Sequence, residues 1–181
     1  MVPTMVKKAW RIVTAPTAAG FAARLALLWS PLLTFAALRP IRAALETPLT
    51  VFYATVVSKL MGVIGVGHAR EGATLRFAEA GFDFVVEPVC TGYFVFWFYL
   101  GAVLAFPAGW SARAAAVGLG MALLFVVNVV RILSLYYVRV AHPGWFDEVH
   151  LVAWQVLTIV LIGVFWYGWA STRPADGPAA A

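Results

Sequence analysis

Apolar residues run through this chain in long blocks, broken by short polar interruptions. Pro88 to Ala112 contains no charged residue, and neither does Val149 to Thr172. Ala114 to Val138 contains one, Arg131. A membrane crossing needs about 20 mostly apolar residues to span about 30 Å of hydrocarbon, and all three blocks are long enough. A fourth block, Pro16 to Leu38, holds Arg24 and also Pro31, where a kink is expected. The expected helices are Pro16–Leu38, a span from Pro88–Cys90 to Phe106 closed by Pro107 and Gly109, Arg113–Val138, and Glu148–Ala170. Thr47 to Gly67 reads differently. Thr47, Thr50, Thr55, Ser58 and Lys59 recur at helical spacing and form a polar stripe, so this helix is amphipathic. It is expected to lie in the interface or line a wet groove. Between His68 and Glu87 the period changes to two: Leu75 and Phe77 flank Arg76, and Phe82 and Phe84 flank Asp83. Glu79-Ala80-Gly81 between them completes the pattern of a short hairpin.

Composition narrows the class. Hydrophobic residues make up 63% of the 181 positions and charged ones 12%, against about 45–50% and about 25% in globular proteins. The expected fold is an all-α polytopic membrane helix bundle with four or five hydrophobic segments. It forms one integral-membrane domain over 1–181: an anchor and amphipathic segment (1–67), an extracytoplasmic hairpin (68–88), a three-span core (89–170) and a disordered tail (171–181). The net charge of +5 comes from isolated Lys and Arg at segment ends, which is topology information and not a nucleic-acid surface. No phosphate loop or dinucleotide fingerprint is present. A single cysteine excludes an internal disulfide. Lys7, Lys8 and Arg11 precede the first apolar block without a small-residue cleavage site, so that block reads as an uncleaved anchor.

The loops carry orientation. Lys7, Lys8, Arg11, Arg113 and Arg173 mark cytoplasmic ends, whereas the hairpin's Glu71, Glu79, Asp83 and Glu87 and the Asp147-Glu148 link belong outside. With the N-terminus and Arg113 on one face, an even number of crossings separates them. The amphipathic segment is therefore read as not crossing.

Topology then draws three polar residues to one membrane level. Cys90 opens the third block at the outer face, Arg131 lies about 13 Å before Val140 on a helix returning there, and His150 opens the last block. Pro88 favours a helical first turn, where the macrodipole is expected to lower the Cys90 thiol's pKa. Gly92 is expected to let a substrate backbone approach. Arg131 costs about 2.5–3.5 kcal/mol in a span on insertion scales; Asn128, one turn earlier, is expected to hold its guanidinium. A nucleophile, an oxyanion donor and an acid/base at neutral pH are the parts for acyl transfer. Each also has a plainer reading. A lone cysteine is most often an inert small hydrophobe, Arg131 snorkels or pairs with Asp147, and His150 is a solvated loop residue. His142 is a rival in a Pro-Gly loop, and His68 is more remote. Trp145, Trp154, Trp166, Tyr167 and Trp169 read as interfacial belts and packing. A non-catalytic anchor or scaffold, or a haem-holding subunit with histidine ligands, is the alternative class.

Val89-Cys90-Thr91-Gly92, then Asn128-Val129-Val130-Arg131-Ile132, then His150 with Gln155 following, resemble the exosortase/archaeosortase family of multi-span membrane cysteine transpeptidases. The short length resembles its compact branch, similar to exosortase H. The match covers roughly Phe82 to Trp169, with Thr91 where Ser is more usual. The resemblance implies a protease/transpeptidase that cleaves the C-terminal sorting signal of exported proteins (a short motif, a hydrophobic helix and a basic cluster). It implies Cys90 as nucleophile, Arg131 as oxyanion or substrate-positioning group and His150 as acid/base, with Gly92, Asn128 and Gln155 in support. It implies no cofactor or metal, and a place in the bacterial inner membrane with the site facing the periplasm or exterior, among membrane lipid. The polar stripe and the Leu75–Glu87 hairpin are then candidates for the motif-binding wall.

Overall fold

The computed structural model describes residues 17–172; the expected tail and the basic start of the anchor lie outside the described residues. Helix α1 is Ala18–Ala37, with Pro31 inside it. Leu38, at φ −59° and ψ 127°, breaks the helical path, and Pro40 sits in the opening turn of α2, Arg39–Val63, where a missing N–H costs nothing. This helix begins well before the expected Thr47 and is not among the helices long and apolar enough to cross a membrane. Among the described residues three stretches meet that standard: α1, Trp110–Ala141 and Pro143–Ser171. The protein is an all-α polytopic membrane protein with a small sheet inserted.

The sheet has strands β1 (Ala69–Glu71), β2 (Thr74–Phe77) and β3 (Phe82–Val85), antiparallel in the order β1-β2-β3. The expected hairpin pairs Leu75 with Phe84 and Phe77 with Phe82. Gly81 at φ +72° serves its turn, a conformation that favours glycine. Strand β1 was not anticipated, because Ala69-Arg70-Glu71 is exposed at every position and shows no alternation.

After β3 the chain makes a 3₁₀ turn, Pro88–Thr91, and then α3, Tyr93–Ala105. Here the expected helix is shorter than its segment. Gly92, left-handed at φ +69°, separates the turn from the helix, and Pro107 follows its end. The 13 helical residues of α3 rise about 20 Å, and the Pro88–Thr91 turn before them supplies the rest of the expected segment. Helix α4 is Trp110–Ala141. The last expected helix is also altered at its start: a 3₁₀ turn, Pro143–Trp145, and a π-turn, Glu148–Ala153, precede α5, Trp154–Ser171.

The chain divides into two compact units. Among the described residues, one comprises 17–37, Phe94–Met121 and 162–172. Within it the Trp29 indole donates to the Phe98 carbonyl at 3.0 Å, over a Gly101 whose Cβ would collide with the ring. The Tyr99 hydroxyl donates to the Ala116 carbonyl, in space left open by Gly120. The other unit comprises Leu38–Tyr93 and Ala122–Leu161. Its core joins Tyr53, Ala54, Val57 and Met61 on one face of α2 to Leu75, Phe77, Phe84 and Val86 from the sheet, and to Val129, Ile132 and Leu135 from α4. Cys90 belongs to this core.

Candidate active site

All six residues singled out in the sequence lie in the second unit. The 3₁₀ turn that carries Cys90 is held locally: the Cys90 N–H donates to the Glu87 carbonyl at 2.9 Å, and the Thr91 hydroxyl donates to the Pro88 carbonyl at 2.7 Å. The turn packs on α2, and Cys90 is fully buried. Its Sγ lies 3.2 Å from His150 Nε2, a contact between residues 60 positions apart. His150 is itself buried, with its ring 5.5 Å from that of Phe146. Phe146 in turn meets Phe84 of β3 edge-on. The sheet thus backs the imidazole through one aromatic ring.

Arg131 is 1% exposed and joins the pieces. One terminal nitrogen donates to the His150 carbonyl at 2.8 Å. The other donates to Gln155 Oε1 at 3.2 Å and reaches the Val89 carbonyl at 3.4 Å. Its Nε–H is buried with no acceptor among the described residues. The guanidinium therefore ties the Cys90 turn to the start of the last helix. The pairing with Asp147 that the plainer reading offered is not among the ion pairs of the described residues.

The π-turn makes this arrangement possible. In an α-helix the Trp154 N–H would bond the carbonyl four residues back, that of His150. Here it bonds Val149, five back, and the His150 carbonyl receives Arg131 instead. Single π-turns of this kind are frequent at functional sites. A sequence signal did exist: His150 and Gln155 are five apart, the π spacing, and both touch Arg131.

Three sequence expectations are corrected. Asn128 does not hold Arg131. Its Nδ2 donates to the Leu124 carbonyl at 2.8 Å, and the amide lies between the Tyr53 phenol and Gly92. Gly92 is not open for a substrate backbone either, since a Cβ there would stand 2.5 Å from Asn128 Nδ2. Nor does a helix dipole lower the Cys90 thiol. The residue sits outside the spanning helices in a one-turn segment, where burial pushes the thiol up and the Arg131 charge draws it back only in part.

Hydroxyls of the polar stripe of α2 are engaged within the protein. Thr50 and Thr55 donate to the carbonyls of Thr47 and Val51, and Ser58 Oγ meets His68 Nε2 at 2.7 Å. The sheet's apolar face is likewise covered by core. His68 Nδ1 lies 2.8 Å from the Val66 carbonyl, so both its ring nitrogens are engaged; His142 is exposed. Among the described residues no group of three or more His, Cys, Asp or Glu is placed to hold a metal.

A membrane-embedded helical chain that gathers one thiol, one imidazole and one guanidinium into a buried cluster defines a class: integral membrane proteins with a thiol–imidazole site. The model of the transmembrane exosortase (EpsH) family matches residues 12–167. The chain belongs to the transmembrane exosortase family. No curated protein and no solved structure matches it.

Proposed function

We propose that this protein is a membrane cysteine transpeptidase that cleaves the C-terminal sorting signal of exported proteins through an acyl-enzyme on Cys90. The observation that carries the reading is the 3.2 Å contact between Cys90 Sγ and His150 Nε2 inside a membrane protein of this family. The thiol passes its proton to Nε2, and the resulting sulfur anion attacks the scissile carbonyl. The C=O π pair moves to oxygen, which the nearby Arg131 charge favours. When the tetrahedral species collapses, the C–N bond breaks and the imidazolium proton goes to the leaving amine, which departs with the hydrophobic tail. A thioester remains. An acceptor nucleophile then loses its proton to Nε2 and attacks the thioester carbonyl, and the sulfur leaves and recovers its proton.

Burial supports this division of labour. Burial pushes the Cys90 thiol up, which favours its neutral form over the thiolate. Arg131 holds the His150 carbonyl and the Val89 carbonyl at fixed positions, which keeps Sγ and Nε2 in register before reaction. The site is assigned to the outer face of the bacterial inner membrane, because the basic ends of the chain mark the other face.

The test is co-expression with an exported protein that bears a motif, a hydrophobic helix and a basic cluster at its C-terminus. Cys90→Ala and His150→Ala are expected to insert normally and leave that protein uncleaved. Arg131→Lys is expected to lose roughly 10²-fold in turnover, the usual cost of a positioned donor, because a point charge cannot serve three acceptors as a planar fork does. Cleavage that continues unchanged in Cys90→Ala would sink the proposal.

A further inference from the structure

A guanidinium has five N–H groups and no acceptor, and the surroundings of Arg131 leave few of the five within a substrate's reach. One terminal nitrogen directs its hydrogens to Gln155 Oε1 at 3.2 Å and to the Val89 carbonyl at 3.4 Å. The other gives one to the His150 carbonyl at 2.8 Å. The Nε–H has no acceptor among the described residues, but it is buried, on a side chain that is 1% exposed. Protein thus encloses the guanidinium. An oxygen that gains charge during acyl transfer feels it through a neighbour rather than by direct contact.

Gln155 is that neighbour. Because Arg131 can only donate, the Gln155 amide must turn its oxygen to the guanidinium and its nitrogen away. Nε2 makes no hydrogen bond among the described residues. Gln155 is also partly exposed, whereas Cys90, Arg131 and His150 are buried. A free amide donor inside the apolar stretch Pro143–Ser171 is costly unless something accepts its hydrogens. The bond from a cation polarises the amide and strengthens those N–H groups as donors. Gln155 Oε1 and the Val89 carbonyl share one Arg131 nitrogen, and Val89 precedes Cys90, so the amide stands beside the turn that carries the thiol. A pinned, polarised donor at that place fits an acceptor that carries negative charge. We propose that Gln155 is the oxyanion donor of the acyl transfer: Nε2–H bonds the substrate oxygen when Cys90 Sγ adds to the carbonyl. Arg131 is then a positioning residue that orients and polarises the amide. Gln155 keeps its protons throughout. The C=O π pair moves to oxygen on attack and returns on collapse, and the thiol proton still travels through His150 Nε2. The inference rests on the acyl-enzyme reading above.

The experiment separates oxyanion formation from thiol reactivity, using two small probes on the purified full chain in detergent. Acetylation of Cys90 by p-nitrophenyl acetate passes through a tetrahedral oxyanion and releases p-nitrophenolate, which is followed by absorbance. Alkylation by iodoacetamide displaces iodide at a saturated carbon and forms no oxyanion. Gln155→Glu keeps an acceptor for Arg131, Gln155→Met keeps the length of the side chain, and neither has the N–H groups. Both variants are expected to acetylate roughly 10²-fold more slowly than the wild type, the usual cost of losing one such donor. Both should alkylate at the wild-type rate. Acetylation retained in either variant would overturn the proposal; a loss confined to Gln155→Met would make Gln155 only a support for Arg131. A parallel fall of both reactions would also overturn it, by placing the effect on the thiol. If Cys90→Ala releases p-nitrophenolate as fast as the wild type, the acyl-enzyme reading itself falls and this inference with it, a result distinct from the others.

Discussion

Gly92 is held at φ +69°, and the space where a side chain would begin is taken by Asn128. Two separate costs follow from adding one methyl group there: a left-handed backbone that L-residues resist, and a 2.5 Å approach to Asn128 Nδ2. Gly92→Ala is expected to destabilise the purified protein by about 1–3 kcal/mol, measured as a fall in thermal midpoint in detergent. Adding Asn128→Ala to that variant should recover the steric part and leave the backbone part; no recovery would mean that Asn128 is not the obstacle. The need for a glycine beside the cysteine was visible in the sequence, but its cause was not. Asn128 stands 36 positions later, and nothing local to either residue announces that the amide fills the missing side chain's place. Arg131 is the converse case. Its conspicuous charge in an apolar block marked it early, yet its acceptors are largely main-chain carbonyls, which carry no signature in sequence at all.

Among the elements, the π-turn at Glu148–Ala153 is the one on which the site most depends. It displaces a helix hydrogen bond by one residue and presents the His150 carbonyl to Arg131. Deleting Val152 should close this turn into ordinary α-helix and rotate His150 by about 100° relative to Gln155. The variant is expected to insert in the membrane and resist alkaline extraction like the wild type while losing sorting-signal cleavage. Retained cleavage would show that the turn is dispensable. Hydrophobic pattern foretold the long helices, since every residue of a span faces the same demand for apolarity. It foretold the β2–β3 hairpin as well, because alternation with a Gly-bearing turn is a local code. It did not foretell β1, which is held by backbone pairing and by one exposed ion pair, Glu71 with Arg76 of β2. It overstated α3, because freedom from charge was read as length whereas Gly92 and Pro107 set the ends.

At the scale of the molecule, the polarity of its ends carries a prediction about sidedness. In a Cys90→Ala background, a cysteine at exposed Glu79 is expected to react with an impermeant thiol reagent added to intact spheroplasts. One at exposed Ser111 should react only after the membrane is opened. Labelling at position 111 alone in intact spheroplasts would reverse the orientation proposed above, and labelling of both would place the two positions on one face. Class, hairpin and the identity of the polar residues could be read from composition and spacing, because partition into lipid and helix or strand period are properties of neighbours in the chain. The 3.2 Å thiol–imidazole contact across 60 residues, the burial of His150, the triple engagement of Arg131 and the upward push on the Cys90 thiol could not. Those depend on which faces pack together and on how much water that packing removes, and packing joins residues that the chain keeps far apart.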